Sequence, residues 1–216
     1  MTFDPRLYLV TGPVPLTSVL EDVVAQALAG GATAVQLRDK TADRDSLQRQ
    51  TLALAVIARS NGAALLVNDD LVAAAMADGA HVGVSDARPE KVRAELGETA
   101  LIGWSINSLN QFDDVEALGA SDYVAVSPVW TTPSKSDTTA PLGLEGVRAV
   151  RARTPAGIPV VAIGGITAAN AAGVIAAGAD GIAVMSAICS AHNPYAAALE
   201  LREIVDAALS IRGQSR

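Results

Sequence analysis

Short apolar runs alternate with longer Ala-rich stretches from one end of the chain to the other. The runs at Leu7–Thr11, Ala34–Arg38, Ala64–Asn68, His81–Val84, Ala100–Ser105, Tyr123–Val126, Val160–Ile163 and Gly181–Met185 have strand length and β-branched content. Between them, apolar positions recur at helical spacing over Thr17–Ala29, Ser46–Asn61, Leu144–Arg153, Ala168–Ala177 and Tyr195–Leu209. Strand-helix alternation predicts a parallel sheet, and strands that are apolar without a period of two are covered on both faces. Eight such units in 216 residues favour closure into a (β/α)8 TIM barrel, with residues 1–216 forming a single α/β domain. The alternative, an open doubly wound sheet, lacks the G-x-G-x-x-G that would open its first helix. A weak internal repeat agrees with the barrel. In Gly31-Ala-Thr-Ala-Val35, Gly79-Ala-His-Val82, Gly119-Ala-Ser-Asp-Tyr-Val124 and Gly178-Ala-Asp-Gly-Ile182, a glycine follows a helical stretch and a strand begins soon after. Glycine in a left-handed conformation would end each helix.

Composition narrows the partners. Half the residues are hydrophobic, 18% are charged and 3% are aromatic, so a large core is built from Ala, Val, Leu and Ile. The net charge is −7 with no run of Lys or Arg, which argues against a nucleic-acid surface. Small phosphorylated ligands remain compatible, because a few local cations outweigh a distributed negative charge. No stretch reaches the roughly 18 apolar residues that span a bilayer. An acid and a proline near the N-terminus (Met1-Thr-Phe-Asp-Pro-Arg6) do not fit a signal peptide, and the chain reads as cytoplasmic. Cys189 has no second cysteine to pair with and is read as a packed small hydrophobe.

In a (β/α)8 barrel, chemistry belongs at the C-terminal ends of the strands. Those ends carry Gln36-Leu-Arg-Asp-Lys40, Asn68-Asp-Asp70, Asp86, Ser105, Thr131-Thr-Pro-Ser-Lys135, Gly164-Gly165 and Ser186. Arg38 offers a planar fork for phosphate oxygens and Lys40 a mobile point charge. Asp69 and Asp86 are hard oxygen donors suited to Mg²⁺. Gly164-Gly165, with Ser186 on the next strand, fits the phosphate site after strands seven and eight. Blander roles stand beside these: Asp69-Asp70 capping the helix that starts near Leu71, Gly164-Gly165 as a tight turn only, and Trp104 and Trp130 as core or pocket wall. His81, read at the start of strand four and so at the end away from the site, is expected to pack. His192, read in a loop before Pro194, is assigned to the surface. The stretch Thr131–Ala140, polar and without an apolar period, is expected to close over a ligand.

With these residues assembled, the chain resembles the thiamine-phosphate synthase family from Leu7 to about Val205. The resemblance is carried by Gln36-Leu-Arg-Asp-Lys40, Val67-Asn-Asp-Asp70, His81-Val-Gly-Val-Ser-Asp86, Gly103-Trp-Ser105, Pro128-Val-Trp-Thr-Thr-Pro-Ser-Lys135, Gly143-Leu144, Ala162-Ile-Gly-Gly-Ile166 and Val184-Met-Ser-Ala-Ile188. It implies that Gln36, Leu37, Arg38, Asp39, Lys40, Asn68, Ser105 and Lys135 hold an aminopyrimidine diphosphate. By the same resemblance, Asp69 and Asp86 bind Mg²⁺, and Thr132, Pro133, Ser134, Gly165, Met185 and Ser186 bind a thiazole phosphate. The implied chemistry is dissociative, with Arg38, Lys40, Ser105 and Lys135 as its catalytic residues and no catalytic histidine. The chain departs from the family pattern at Val84, Asn107, Ser127 and Pro133, none of which removes a metal ligand or a phosphate cation. A related barrel, the thiazole tautomerase, would carry histidine where this chain has Asn107. A non-catalytic binding barrel would have lost a carboxylate or Lys135.

Overall fold

The computed structural model describes residues 3–132 and 140–214. Eight parallel strands close on themselves: β1 (Leu7–Val10), β2 (Ala34–Leu37), β3 (Ala64–Asn68), β4 (Gly79–Val82), β5 (Leu101–Ile106), β6 (Tyr123–Val126), β7 (Val160–Ile163) and β8 (Gly181–Val184). β1 pairs with both β2 and β8, which completes the barrel. The helices that follow the strands are α1 (Leu20–Ala29), α2 (Arg44–Ser60), α3 (Leu71–Ala74), α4 (Pro89–Leu96), α5 (Val115–Gly119), α6 (Gly143–Arg153), α7 (Ala171–Ala176), α8 (Ser186–Cys189) and α9 (Pro194–Gln214).

Successive strand residues point to opposite faces, and here both faces are mainly apolar. Leu7, Leu9, Val35, Leu37, Val124, Val126, Ile182 and Val184 face out and pack under the helices. Tyr8, Val10, Ala34, Leu66, Tyr123, Ala125, Val161 and Ala183 face in and fill the barrel. Both layers are dry, which is why the strands read as continuous apolar runs. Trp104 and Trp130 belong to the outer layer, and Cys189 is buried there too.

The repeat seen in the sequence has a structural task at the N-terminal face. Thr33 Oγ1, Asp78 Oδ2, Asp122 Oδ2 and Asp180 Oδ2 accept from the backbone N–H groups of Leu7, Leu65, Ile102 and Val160, at 2.7–3.1 Å. Each residue stands just before one strand and satisfies a donor at the first or second residue of the strand before it, a donor that would otherwise be buried unpaired. Arginines brace these acids: Arg93 on Asp122, and Arg151 and Arg212 on Asp180. Gly31 and Gly178 have the left-handed φ values of 105° and 117° that the helix-ending reading requires. Two members of the repeat differ. Gly119 is the last residue of α5, and Gly79 opens β4 rather than ending a helix. An added Cβ at Gly79 would lie 1.9 Å from the Leu101 carbonyl oxygen, so this glycine allows β4 and β5 to approach.

β4 therefore starts two residues earlier than the hydropathy pattern indicates. That shift moves His81 from a strand start to the third strand position, paired in register with Asn68 and Gly103.

Candidate active site

The C-terminal ends of the strands open into a cavity of about 520 Å³. Gln36, Arg38, Lys40, Asn68, Asp69, Asp86, Ser105, Thr132, Gly165, Met185 and Ser186 all line it, so most of the residues singled out in the sequence meet here. Leu37 and Asp39 do not line it. Leu37 points into the outer layer, as strand alternation requires for the neighbour of inward-facing Gln36. Asp39 Oδ1 instead holds the next turn together, accepting from Thr41 N at 2.9 Å, Thr41 Oγ1 at 2.7 Å and Ala42 N at 3.0 Å. The Thr41 hydroxyl and these backbone donors hold its carboxyl below the ordinary Asp value. Pro133, Ser134 and Lys135 lie outside the described residues, as does most of the Thr131–Ala140 stretch.

The wall made by β2 is fixed from β1. Thr11 Oγ1 accepts from Arg38 N at 2.8 Å and donates to Arg38 O at 3.2 Å, which pins the strand end bearing Arg38 and Lys40. Next to it, Asp70 is the helix cap, accepting from Ala73 N at 2.8 Å. Asp69 is released for other work. Its φ of 64° is the left-handed conformation, which Asp tolerates better than most residues. Lys40 Nζ forms an ion pair with Asp69 Oδ2. Asp69 Oδ1 is buried with no hydrogen-bond partner among the described residues.

Asp86 stands beside Asp69 and accepts from Gly83 N at 2.7 Å through Oδ2. Burial, and then the adjoining Asp86 carboxyl, raise the Asp69 pKa, with Lys40 opposing. At Asp86, burial acts upward but is outweighed by the adjoining Asp69 carboxyl, the Gly83 N–H and the Lys40 charge, so its pKa is lowered. Adjoining carboxylates are oxygen donors of the kind a hard cation takes. The donor set fits Mg²⁺, which takes one or two carboxylates and completes its shell with phosphate and water. Among the described residues no group of three or more His, Cys, Asp or Glu side chains is placed to hold a metal ion.

Across the cavity, Gly164 and Gly165 have φ values of 107° and 66°. A Cβ on Gly164 would meet Pro128 Cβ at 2.7 Å, and one on Gly165 would meet Trp130 Cβ at 2.8 Å. Both glycines are thus required by conformation and by the segment after β6 that crosses over them. Asn170 Nδ2 donates to Gly165 O at 2.9 Å and fixes the turn. Ser186 lies on the same side.

His81 corrects the sequence reading. It lines the cavity, with Nε2 at 2.9 Å from Ser105 Oγ and Nδ1 at 2.9 Å from Tyr123 OH. Tyr8 was also missed as a wall residue, and its hydroxyl accepts from Gln36 Nε2 at 3.1 Å. Glycine at 79 could have signalled the earlier start of β4, since a strand beginning there turns His81 inward.

Cations and paired carboxylates on one side of a barrel mouth, facing a glycine turn on the other, define an enzyme of phosphorylated small molecules built on the (β/α)8 plan. Residues 7–188 match the family described as thiamine monophosphate synthase. The chain belongs to that family. It is 45% identical over 205 residues to a thiamine-phosphate synthase of Albidiferax ferrireducens, covering 94% of this chain and 92% of the relative. A thiamine-phosphate synthase of Moorella thermoacetica is 45% identical over 186 residues, covering 85% and 87%. Among solved structures, thiamine phosphate pyrophosphorylase from Pyrococcus furiosus superposes with a TM-score of 0.84 at 35% identity, covering 95% of this chain and 98% of that one.

Proposed function

We propose that this cavity joins an aminopyrimidine methyl diphosphate to a thiazole phosphate, giving thiamine phosphate and diphosphate, with Mg²⁺ held by Asp69 and Asp86. The observation that supports the metal is the buried Asp69 Oδ1, without a hydrogen-bond partner among the described residues, beside the Asp86 carboxyl. Lys40 is ion-paired at the same carboxylate and Arg38 lines the same wall. When bound, Mg²⁺ supplies positive charge that offsets the charge of the diphosphate.

The chain's own residues do the rest. Arg38 and Lys40 face the diphosphate as its bond to the methylene carbon breaks and the electron pair leaves with the oxygen. The aminopyrimidine ring spreads the resulting positive charge. The thiazole nitrogen lone pair then forms the new C–N bond, which yields the thiazolium product without a proton transfer at the reacting atoms. That balance suits a site whose buried polar groups are hydroxyls, an amide and an imidazole rather than a free general base. Gly165, Met185, Ser186 and Thr132 hold the thiazole phosphate opposite, and the resemblance assigns Pro133 and Ser134 to the same group. Catalysis here is positioning and electrostatic stabilisation. The resemblance assigns Lys135 to the same diphosphate.

The test is product formation from the two purified substrates, with Mg²⁺ and with excess EDTA. Thiamine phosphate should form with Mg²⁺ and fall to background in EDTA. No product under the first condition overturns the assignment of activity, and full turnover in EDTA overturns the metal role.

A further inference from the structure

The barrel interior holds a line of buried polar side chains that runs beneath the cavity from one wall to another. Gln36 Nε2 donates to Tyr8 OH at 3.1 Å, Tyr123 OH reaches Tyr8 OH at 3.1 Å, His81 Nδ1 lies 2.9 Å from Tyr123 OH, and His81 Nε2 lies 2.9 Å from Ser105 Oγ. All five residues are buried. Gln36, Tyr8, His81 and Ser105 line the cavity, whereas Tyr123 does not. The Tyr123 hydroxyl therefore joins two walls of the site from behind.

We propose that this chain of hydrogen bonds orients the Ser105 hydroxyl as an acceptor toward the amino group of the aminopyrimidine, with His81 and Tyr123 as positioning residues. The proposal rests on the function given above and deepens it.

The argument is one of donors and acceptors. With Tyr123 donating its single proton to Tyr8, Tyr123 must accept from His81 Nδ1–H. We take this buried imidazole to be neutral; protonated on Nδ1, it has a bare Nε2, so Ser105 donates its proton to Nε2. The lone pairs of Ser105 Oγ are left facing the cavity. Tyr8, already accepting from Gln36 and Tyr123, has its own proton free for the cavity. The floor then presents a donor at Tyr8 and an acceptor at Ser105, complementary to a ring nitrogen and an exocyclic amine. Departure of diphosphate places positive charge on that ring and amine, so a fixed acceptor gains strength on the way to the transition state. Ser105 with a freely rotating hydroxyl would present either polarity.

The sequence makes room for this line. His81, Gly103 and Tyr123 are aligned across β4, β5 and β6. An added Cβ at Gly103 would lie 2.2 Å from Tyr123 OH and 2.5 Å from His81 Nδ1. A glycine here lets the ring of Tyr123 pass under β5 to reach the imidazole. A purely apolar floor would not carry the desolvation cost of five polar groups.

The chain has two histidines, and His192 is exposed, so ¹⁵N NMR of the unliganded protein resolves the His81 tautomer directly. Nδ1 should be protonated and Nε2 bare. In Tyr123→Phe, which keeps the ring and removes only the hydroxyl, the tautomer should shift toward Nε2–H. Its kcat should fall about tenfold, the effect of losing one good hydrogen bond, with KM for the thiazole phosphate unchanged. Ser105→Ala should then cost less in the Tyr123→Phe background than in the parent. A parent protein with Nε2–H, or a Tyr123→Phe protein with the parental kcat, overturns the proposal. Neither result touches the functional reading, which stands or falls on turnover by the parent enzyme.

Discussion

Gly103→Ala is the substitution that tests the barrel interior most directly. The new methyl group would sit 2.1 Å from Tyr123 Cζ, against the 3.4–4 Å of ordinary contact. Relief therefore needs a displacement of more than about 1 Å by a ring whose side chain is fully buried, because interiors are close-packed. Tyr123 cannot swing freely, since Phe3 stacks on it at 4.5 Å and Tyr8 meets it edge-on at 6.0 Å. Overpacking of this kind costs about 1–3 kcal/mol. Separation of the Tyr123 hydroxyl from His81 adds about 0.5–1.5 kcal/mol. The combined loss is roughly 2–4 kcal/mol, which for a chain of this size lowers Tm by roughly 5–15 °C. Gly12→Ala is the control. Its Cβ would meet Met185 Sδ at 2.5 Å, but a methionine side chain can turn away, so the loss should stay below about 1 kcal/mol. Urea denaturation and thermal melting of the two variants and the parent make the comparison. If Gly103→Ala melts within about 2 °C of the parent, or no lower than Gly12→Ala, the ring of Tyr123 is not held as described.

Three further outcomes are expected. Asp69→Ala should retain the parental melting temperature within a few degrees while losing Mg²⁺-dependent turnover, and an active variant would move the metal elsewhere. Lys135→Ala should lower kcat by about 10²-fold, the usual cost of one lost electrostatic contact to a developing charge, with little change in KM for the pyrimidine diphosphate; a raised KM at normal kcat would show uniform binding instead. Asp39 has its folded pKa below the unfolded value because of the Thr41 hydroxyl and the backbone donors around it, so its contribution is present above the unfolded pKa and lost as pH falls through the folded one. The stability deficit of Asp39→Ala, measured by urea denaturation, should be evident at pH 7 and narrow as pH falls below the ordinary Asp range; a deficit independent of pH would refute the charge-based account.

Much of the architecture is legible because eight dry strands leave eight apolar runs, and the polar residues that end them stand out by contrast. The same dryness hides the rest. A strand covered on both faces has no period of two, so nothing in Leu7–Val10 or Tyr123–Val126 says that Tyr8 and Tyr123 face inward while their neighbours face out. His81 was misplaced for the same reason, since a boundary error of two residues in an unpatterned strand is invisible until register fixes it. Where one inward polar residue breaks the run, as Gln36 does before Leu37, its direction can be read, and the structure places it in the cavity. Leu37 and Asp39 mark another limit. A motif of five consecutive residues names a stretch of chain, whereas strand alternation and an Asx turn decide which of its side chains reach the site.

The aspartates show how one residue type is put to opposite uses at the two ends of the same barrel. Asp78, Asp122 and Asp180 stand before strands, accept from backbone N–H groups, and in two cases have an arginine against them. Their hydrogen bonds go to groups that are fixed by the fold, so they serve the closure of the barrel floor. Asp70 likewise has its capping bond to Ala73 N. Asp69 is the exception among neighbours: it takes a left-handed backbone conformation, adjoins a second carboxyl, and keeps a buried oxygen without a donor among the described residues. Conformation, like charge and lost hydrogen bonding each oppose folding. All three costs fall on one carboxylate at the C-terminal end of β3, beside Lys40 and Arg38, and they support the ligand role proposed for Asp69.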